Sequence, residues 1–127
     1  MAKIGIFDSG VGGLSVFREI CKVLPEESYI YYSDSANCPY GEKTVEFIIG
    51  RCREITEFLL RNGADIIVVA CNTATAAAIK TLRSEYSDVS DKKVRKRVLD
   101  ITEGRIDHVL FIGMEPAIKP AAQMTET

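Results

Sequence analysis

A chain of 127 residues can hold one domain with a real core and is too short for two ordinary ones. Hydrophobic residues make up 46% and charged residues 27%, the balance of a folded globular protein rather than a disordered one. Sixteen basic against eighteen acidic residues leave a net charge of −2, which argues against a nucleic-acid partner, and no apolar run reaches the roughly 18 residues of a bilayer span. The opening Met1–Asp8 lacks the apolar core of a signal peptide, so a cytoplasmic setting and no membrane association are expected. Cys21, Cys38, Cys52 and Cys71 show no CxxC spacing; neither a zinc site nor a redox motif is indicated, and free thiols are expected.

The first element is an apolar run at Lys3–Phe7 (KIGIF), too short for a buried helix and read as a strand. Leu14, Phe17, Ile20, Cys21 and Leu24 then recur on one helical face, and Pro25 ends that helix. Tyr29–Tyr32 (YIYY) is the second strand. Val45, Ile48, Ile49, Cys52, Ile55 and Leu59 form a longer helical stripe stopped by Asn62-Gly63. Asp65–Ala70 (DIIVVA) is the third strand, and the Ala-rich stretch from Ala74 to Tyr86 is a strong helix former. Residues 87–105 read as a charged helical elaboration, with Ser90 as N-cap and Val94, Val98 and Ile101 at helical spacing. Its basic cluster, Lys92, Lys93, Arg95, Lys96 and Arg97, reads as a solvated face, with an acidic partner as the sharper alternative. Val109–Ile112 (VLFI) is the fourth strand, and Glu115–Met124 opens a further helix with Pro116 in its first turn.

Strands alternating with helices imply an α/β protein: a flavodoxin-like three-layer sandwich with a mostly parallel sheet covered on both faces. Ligands of such sheets bind beyond the carboxyl ends of the strands. Here those ends carry Asp8-Ser9-Gly10, Ser33-Asp34-Ser35, Cys71-Asn72-Thr73 and Gly113-Met114-Glu115. A parallel sheet would bring all four to one edge.

Gly10, Gly12 and Gly13 between a strand and a helix allow tight turns and close ligand approach, and the helix start favours an anion. A plain capped turn is the alternative. No Lys follows these glycines, so a P-loop fails; Ser15 stands where a dinucleotide fingerprint needs its third glycine. A dinucleotide-binding module stays open, because Asp34 closes the second strand about where a ribose-binding acid would sit.

Cys71 follows the most apolar strand and precedes the Ala-rich helix, with Asn72 or Thr73 as the expected N-cap. A thiol there should be acidified and so serve as nucleophile or base, unless it is merely a small buried residue. Cys21 and Cys52 lie on apolar stripes, and Cys38 sits in a turn as a bystander. The single histidine, His108, precedes the fourth strand and belongs to the opposite edge, so neither a triad nor a metal hydrolase can be assembled.

Four segments together resemble a known family: Asp8–Val16 (DSGVGGLSV), Tyr32–Thr44 (YSDSANCPYGEKT), Val68–Ile79 (VVACNTATAAAI) and Gly113–Ala122 (GMEPAIKPAA) are similar to bacterial glutamate racemase. The resemblance implies cofactor-independent interconversion of L- and D-glutamate for peptidoglycan, with no cofactor and no metal. It implies two cysteines on opposite faces of the substrate, in a dry cleft whose positioned donors stabilise carbanion charge. By position Cys71 is the first catalytic cysteine. Asp8, Ser9, Tyr40, Gly41, Asn72, Thr73 and Thr75 match substrate-contacting positions, and Asp34 is an assisting acid. The Gly-Cys-Thr-His-Tyr-Pro segment that carries the family's second cysteine is absent here.

The family has two α/β domains facing each other. Residues 1–107 are expected to form the first, with 87–107 longer than the usual linker. Residues 108–127 are expected to supply a strand and the start of a helix leading towards the second. The chain alone is therefore expected to be inactive, and a cleft lacking its opposite wall leaves apolar surface that a homodimer would cover. Aspartate racemase is a close alternative, since one methylene is worth about 1–3 kcal/mol in a pocket. A folded fragment that only binds anions or partners is the non-enzymatic one.

Overall fold

The computed structural model describes residues 2–10 and 13–114. The helix expected from Glu115, with Pro116 in its first turn, lies outside the described residues, as do Val11 and Gly12 of the glycine-rich turn.

Four strands form one sheet in the order β2-β1-β3-β4: β1 (Lys3–Asp8), β2 (Ser28–Ser33), β3 (Ile66–Val69) and β4 (Leu110–Gly113). Every pairing is parallel. The helices are α1 (Gly13–Val23), α2 (Val45–Arg61), α3 (Asn72–Tyr86) and α4 (Lys92–Ile101). The strand order is that of the flavodoxin-like doubly wound fold, and the expected α/β class holds.

Side-chain parity divides the layers. Ile4, Ile6, Val68 and Ala70 face one side of the sheet and pack against Val16, Phe17 and Ile20 of α1. Phe7, Ile67, Val69 and Phe111 face the other and join α2, α3 and α4 in the larger core around Leu59, Leu60, Ala78 and Leu82. Burying a leucine of this kind contributes about 1.5–3 kcal/mol. The small alanines of α3 let it lie close on the sheet. A Cβ at Gly113 of β4 would meet Thr75 Cγ2 at 2.7 Å, so only glycine fits that crossing.

The 87–105 stretch contains the expected helix, but its cap differs. Asp91, not Ser90, is the N-cap of α4, accepting from Lys93 N at 2.9 Å. Ser90 is taken by Asp88, to whose carboxylate its hydroxyl donates at 2.5 Å. Val94 and Val98 are buried as the spacing predicts, and Arg97 reaches back to the Glu85 carbonyl and lies over the Tyr86 ring. The return into β4 is pinned by Arg105, which donates to Asp65 at 2.7 Å and to the Leu60 and Ala64 carbonyls. No helix among the described residues is long and apolar enough to cross a membrane.

Candidate active site

Because all strands are parallel, Asp8, Ser33 and Gly113 end on one edge, and the Cys71 end of β3 follows them. The centre of this edge is Cys71. Its backbone is extended (φ −150°, ψ 123°) and it is itself the N-cap of α3, its sulfur accepting from Ala74 N at 3.4 Å. The expected cap at Asn72 or Thr73 is thus displaced by one or two residues, and both of those are exposed in the first turn. The Cys71 thiol donates to Ser9 Oγ at 3.4 Å, which joins residues 62 positions apart. Cys71 is 9% exposed and Ser9 6%, so both residues are almost fully buried.

Asp8 is 1% exposed. Its Oδ1 accepts from Gly10 N at 2.6 Å and from Ser33 Oγ at 3.0 Å, while Oδ2 accepts from Tyr31 Oη. The Tyr31 ring is fixed by stacking on Phe17 at 5.2 Å, and burial followed by the Asp8 bond pushes its hydroxyl up to about 12. Among the described residues no cation pairs with Asp8. Gly10 has φ +102°, and a Cβ there would sit 2.9 Å from Ser35 Cα, so the first two loops meet only because this residue is glycine.

Asp34 is also buried, but its surroundings are different. Arg51 Nε donates to its Oδ2 at 3.0 Å and Arg51 Nη2 to its Oδ1 at 2.9 Å. Tyr40 Oη donates to Oδ2 at 2.5 Å and Asn37 Nδ2 to Oδ1 at 3.0 Å. Burial works to raise its pKa, yet the Arg51, Tyr40 and Asn37 donors outweigh it and hold the carboxyl below the usual aspartate value. Burial and then the Asp34 bond push the Tyr40 phenol up. Asp34 therefore braces this loop, with both of its oxygens occupied by protein donors. Arg51 is the residue that sequence reasoning missed. It lies one position before Cys52 on α2, at the margin of the apolar stripe, where a cation needs a partner.

Tyr40 and Gly41 line a groove of about 530 Å³ together with Asn72, Thr73, Ala76 and Ala77. Thr75 is placed elsewhere: its hydroxyl donates to Val69 O at 3.3 Å and accepts from Met114 N at 3.0 Å. Its hydroxyl ties α3 to β3 and to the end of β4. His108 sits at the amino end of β4, paired with Asp107 at 2.8 Å and far along the chain from the groove. Among the described residues no cluster of three or more His, Cys, Asp or Glu side chains could hold a metal ion.

No family model matches the chain. Known proteins do. The glutamate racemase of Ectopseudomonas mendocina is 48% identical over 126 residues, covering 99% of this chain and 40% of the relative. The Escherichia coli glutamate racemase, solved with L-glutamate and the activator UDP-MurNAc-ala, superposes with a TM-score of 0.67 at 35% identity, covering 97% of this chain and 39% of that one. Over this length the chain is a homologue of the glutamate racemases. The Thermus thermophilus glutamate racemase, solved with beta-chloro-D-alanine, gives 0.65 at 32% identity over 88% of this chain and 51% of its own. The chain spans about two fifths of the length of the curated glutamate racemases that it matches.

Proposed function

We propose that this chain carries one half of a glutamate racemase active site, with Cys71 as one of its two proton-transfer residues. The supporting observation is the Cys71 sulfur, set at the start of α3 between Ser9 Oγ and an amide donor. A donor at a helix start serves an anionic sulfur as well as a neutral one. The thiolate takes the α-proton of glutamate: the C–H bond breaks, an S–H bond forms and the electron pair stays on carbon. A second thiol, supplied from outside this chain, returns a proton to the opposite face. Cys52 is enclosed in the core, where burial pushes its thiol up to about 12, and does not suit that role.

Asp8, Ser9, Tyr40, Gly41, Asn72 and Thr73 are the proposed substrate-contacting residues. The Asp8 carboxylate, buried and held by neutral donors, suits the substrate ammonium. The exposed first turn of α3 suits its carboxylates. Residues 1–107 form the proposed first domain, and 108–127, whose strand completes that sheet, lead towards a second. Leu110 and Ile112 are about half exposed on the sheet face shared with α1, which supports a further covering element, the second domain or another copy in a homodimer. All four cysteines are free, which fits a reducing cytoplasm. D-Glutamate made here would enter peptidoglycan.

A dinucleotide reading loses its support in the structure, because Asp34 is consumed by Arg51 and the Gly10 amide by Asp8. Circular dichroism of L-glutamate tests the proposal. The protein joined to the remainder that its relatives carry is expected to erase the signal, and the chain alone to leave it unchanged. Turnover by the chain alone would refute the two-thiol division. Faster turnover of aspartate than glutamate would reassign the substrate.

A further inference from the structure

Tyr40 and Gly41 reach the groove from a loop that has little regular structure of its own: two single 3-10 turns, Ser35–Asn37 and Tyr40–Glu42. Each turn closes through a backbone bond, Cys38 N to Ser35 O at 3.2 Å and Lys43 N to Tyr40 O at 2.9 Å. Bonds this local do not fix a loop against the body of a protein. Besides the Ser35–Ser33 hydroxyl contact and the burial of the Tyr40 ring in the core, a polar connection to the body runs through Asp34, which receives Asn37 from the first turn and Tyr40 from the second. Asp34 is itself gripped by the two-pronged guanidinium of Arg51, and Arg51 Nη2 also donates to Tyr32 Oη at 3.3 Å. Arg51 Nη1 bonds Glu54 one turn on at 3.2 Å, so the cation is braced by its own helix.

Resting on the racemase reading above, we propose that Arg51 is a positioning residue for the substrate groove: through Asp34 it transmits the placement of α2 to the Tyr40-Gly41 wall. Asp34 has four donors on two oxygens and transmits position rather than protons. A lysine would keep the charge but lose the planar fork that holds both oxygens at once. Cys71 and Ser9 stand on other elements, so loosening this wall weakens substrate binding and leaves proton transfer largely intact.

Three variants test this. Arg51→Lys in the active protein is expected to raise KM for glutamate about tenfold and to change kcat less than about threefold. Arg51→Met alone leaves a buried unpaired carboxylate and is expected to destabilise the fold. The double variant Arg51→Met with Asp34→Asn removes both charges; it is expected to regain thermal stability yet keep the raised KM. A double variant with wild-type KM would reduce Arg51 to charge compensation and overturn the proposal. So would a fall in kcat at unchanged KM, which would put Asp34 in the chemistry.

A second measurement needs no activity. In the chain itself, Arg51→Lys is expected to speed amide hydrogen exchange at Cys38 and Lys43 at least several-fold while α2 and α3 stay protected. Unchanged exchange there would refute the positioning role. Should the protein joined to the remainder that its relatives carry fail to racemise glutamate, the functional reading falls and the exchange result alone decides this one.

Discussion

Asp8 and Asp34 close adjacent parallel strands, and the Asp34 amide donates to the Asp8 carbonyl at 3.0 Å. Both are almost fully buried, yet they are compensated in opposite ways. Asp34 has an arginine fork and two neutral donors, so its charge is neutralised inside the fold. Asp8 has a phenol, a serine hydroxyl and a backbone amide, which solvate the charge without cancelling it. A buried carboxylate of the first kind is structural. In one of the second kind no cation among the described residues offsets the charge, and for that reason Asp8 is the group proposed to meet the substrate ammonium. Burial alone does not distinguish the two; the nature of the donors does.

The largest effect is expected at the proposed proton-transfer residue. Cys71→Ser in the active protein should lower turnover about 10²- to 10⁴-fold, the usual worth of a positioned base, with the melting temperature almost unchanged. Equal activity would remove the sulfur from the mechanism. Next comes Asp34→Ala, which strands a largely buried guanidinium and should cost about 2–3 kcal/mol in urea unfolding, discounted for the solvent that reaches Arg51. Asp8→Asn should do the reverse. It should raise KM about 10- to 100-fold, the worth of a hydrogen bond to a charged group, and move stability less than Asp34→Ala does. If Asp8→Asn proved the more destabilising of the two, the contrast between the carboxylates would be lost.

Acid should report on Asp34. Its folded pKa lies below the unfolded one, so its contribution is fully present above the ordinary aspartate range and lost as pH falls through that range to the lower folded value. Glu85, held down chiefly by the Arg53 hydrogen bond, acts in the same direction. Asp34→Asn should therefore flatten, without abolishing, the decline of urea midpoint on acidification. The smallest effect concerns the thiols. In native chain at pH 8, iodoacetamide should label Cys52 slowest of the four, since burial raises its thiol and shields it; mass spectrometry of the digest reads the order.

The sequence alone determined the layers. Period-2 and period-3.6 patterns are local, so β1 to β4 and α1 to α3 were legible to within a residue or two, and alternation of strand and helix implied the parallel sheet. Parallelism then placed the four strand ends on one edge, which is why Asp8, Ser9 and Cys71 could be grouped from sequence, and four matching segments suggested the racemase resemblance. Caps were less legible. Cys71 took the place expected for Asn72 or Thr73, and Asp91 that expected for Ser90, because neighbouring polar residues compete for the same amides and backbone angles decide between them.

What each polar group does with its hydrogen bonds was decided only by tertiary structure. Ser9 meets Cys71 across 62 positions, Arg51 meets Asp34 across 17, and Met114 meets Thr75 across 39. No pattern within one element contains such pairings. A side chain's type announces that it needs a partner, while the packing of helices on the sheet decides which partner it meets: an arginine fork for Asp34, a carbonyl and an amide for Thr75, and neutral donors for Asp8.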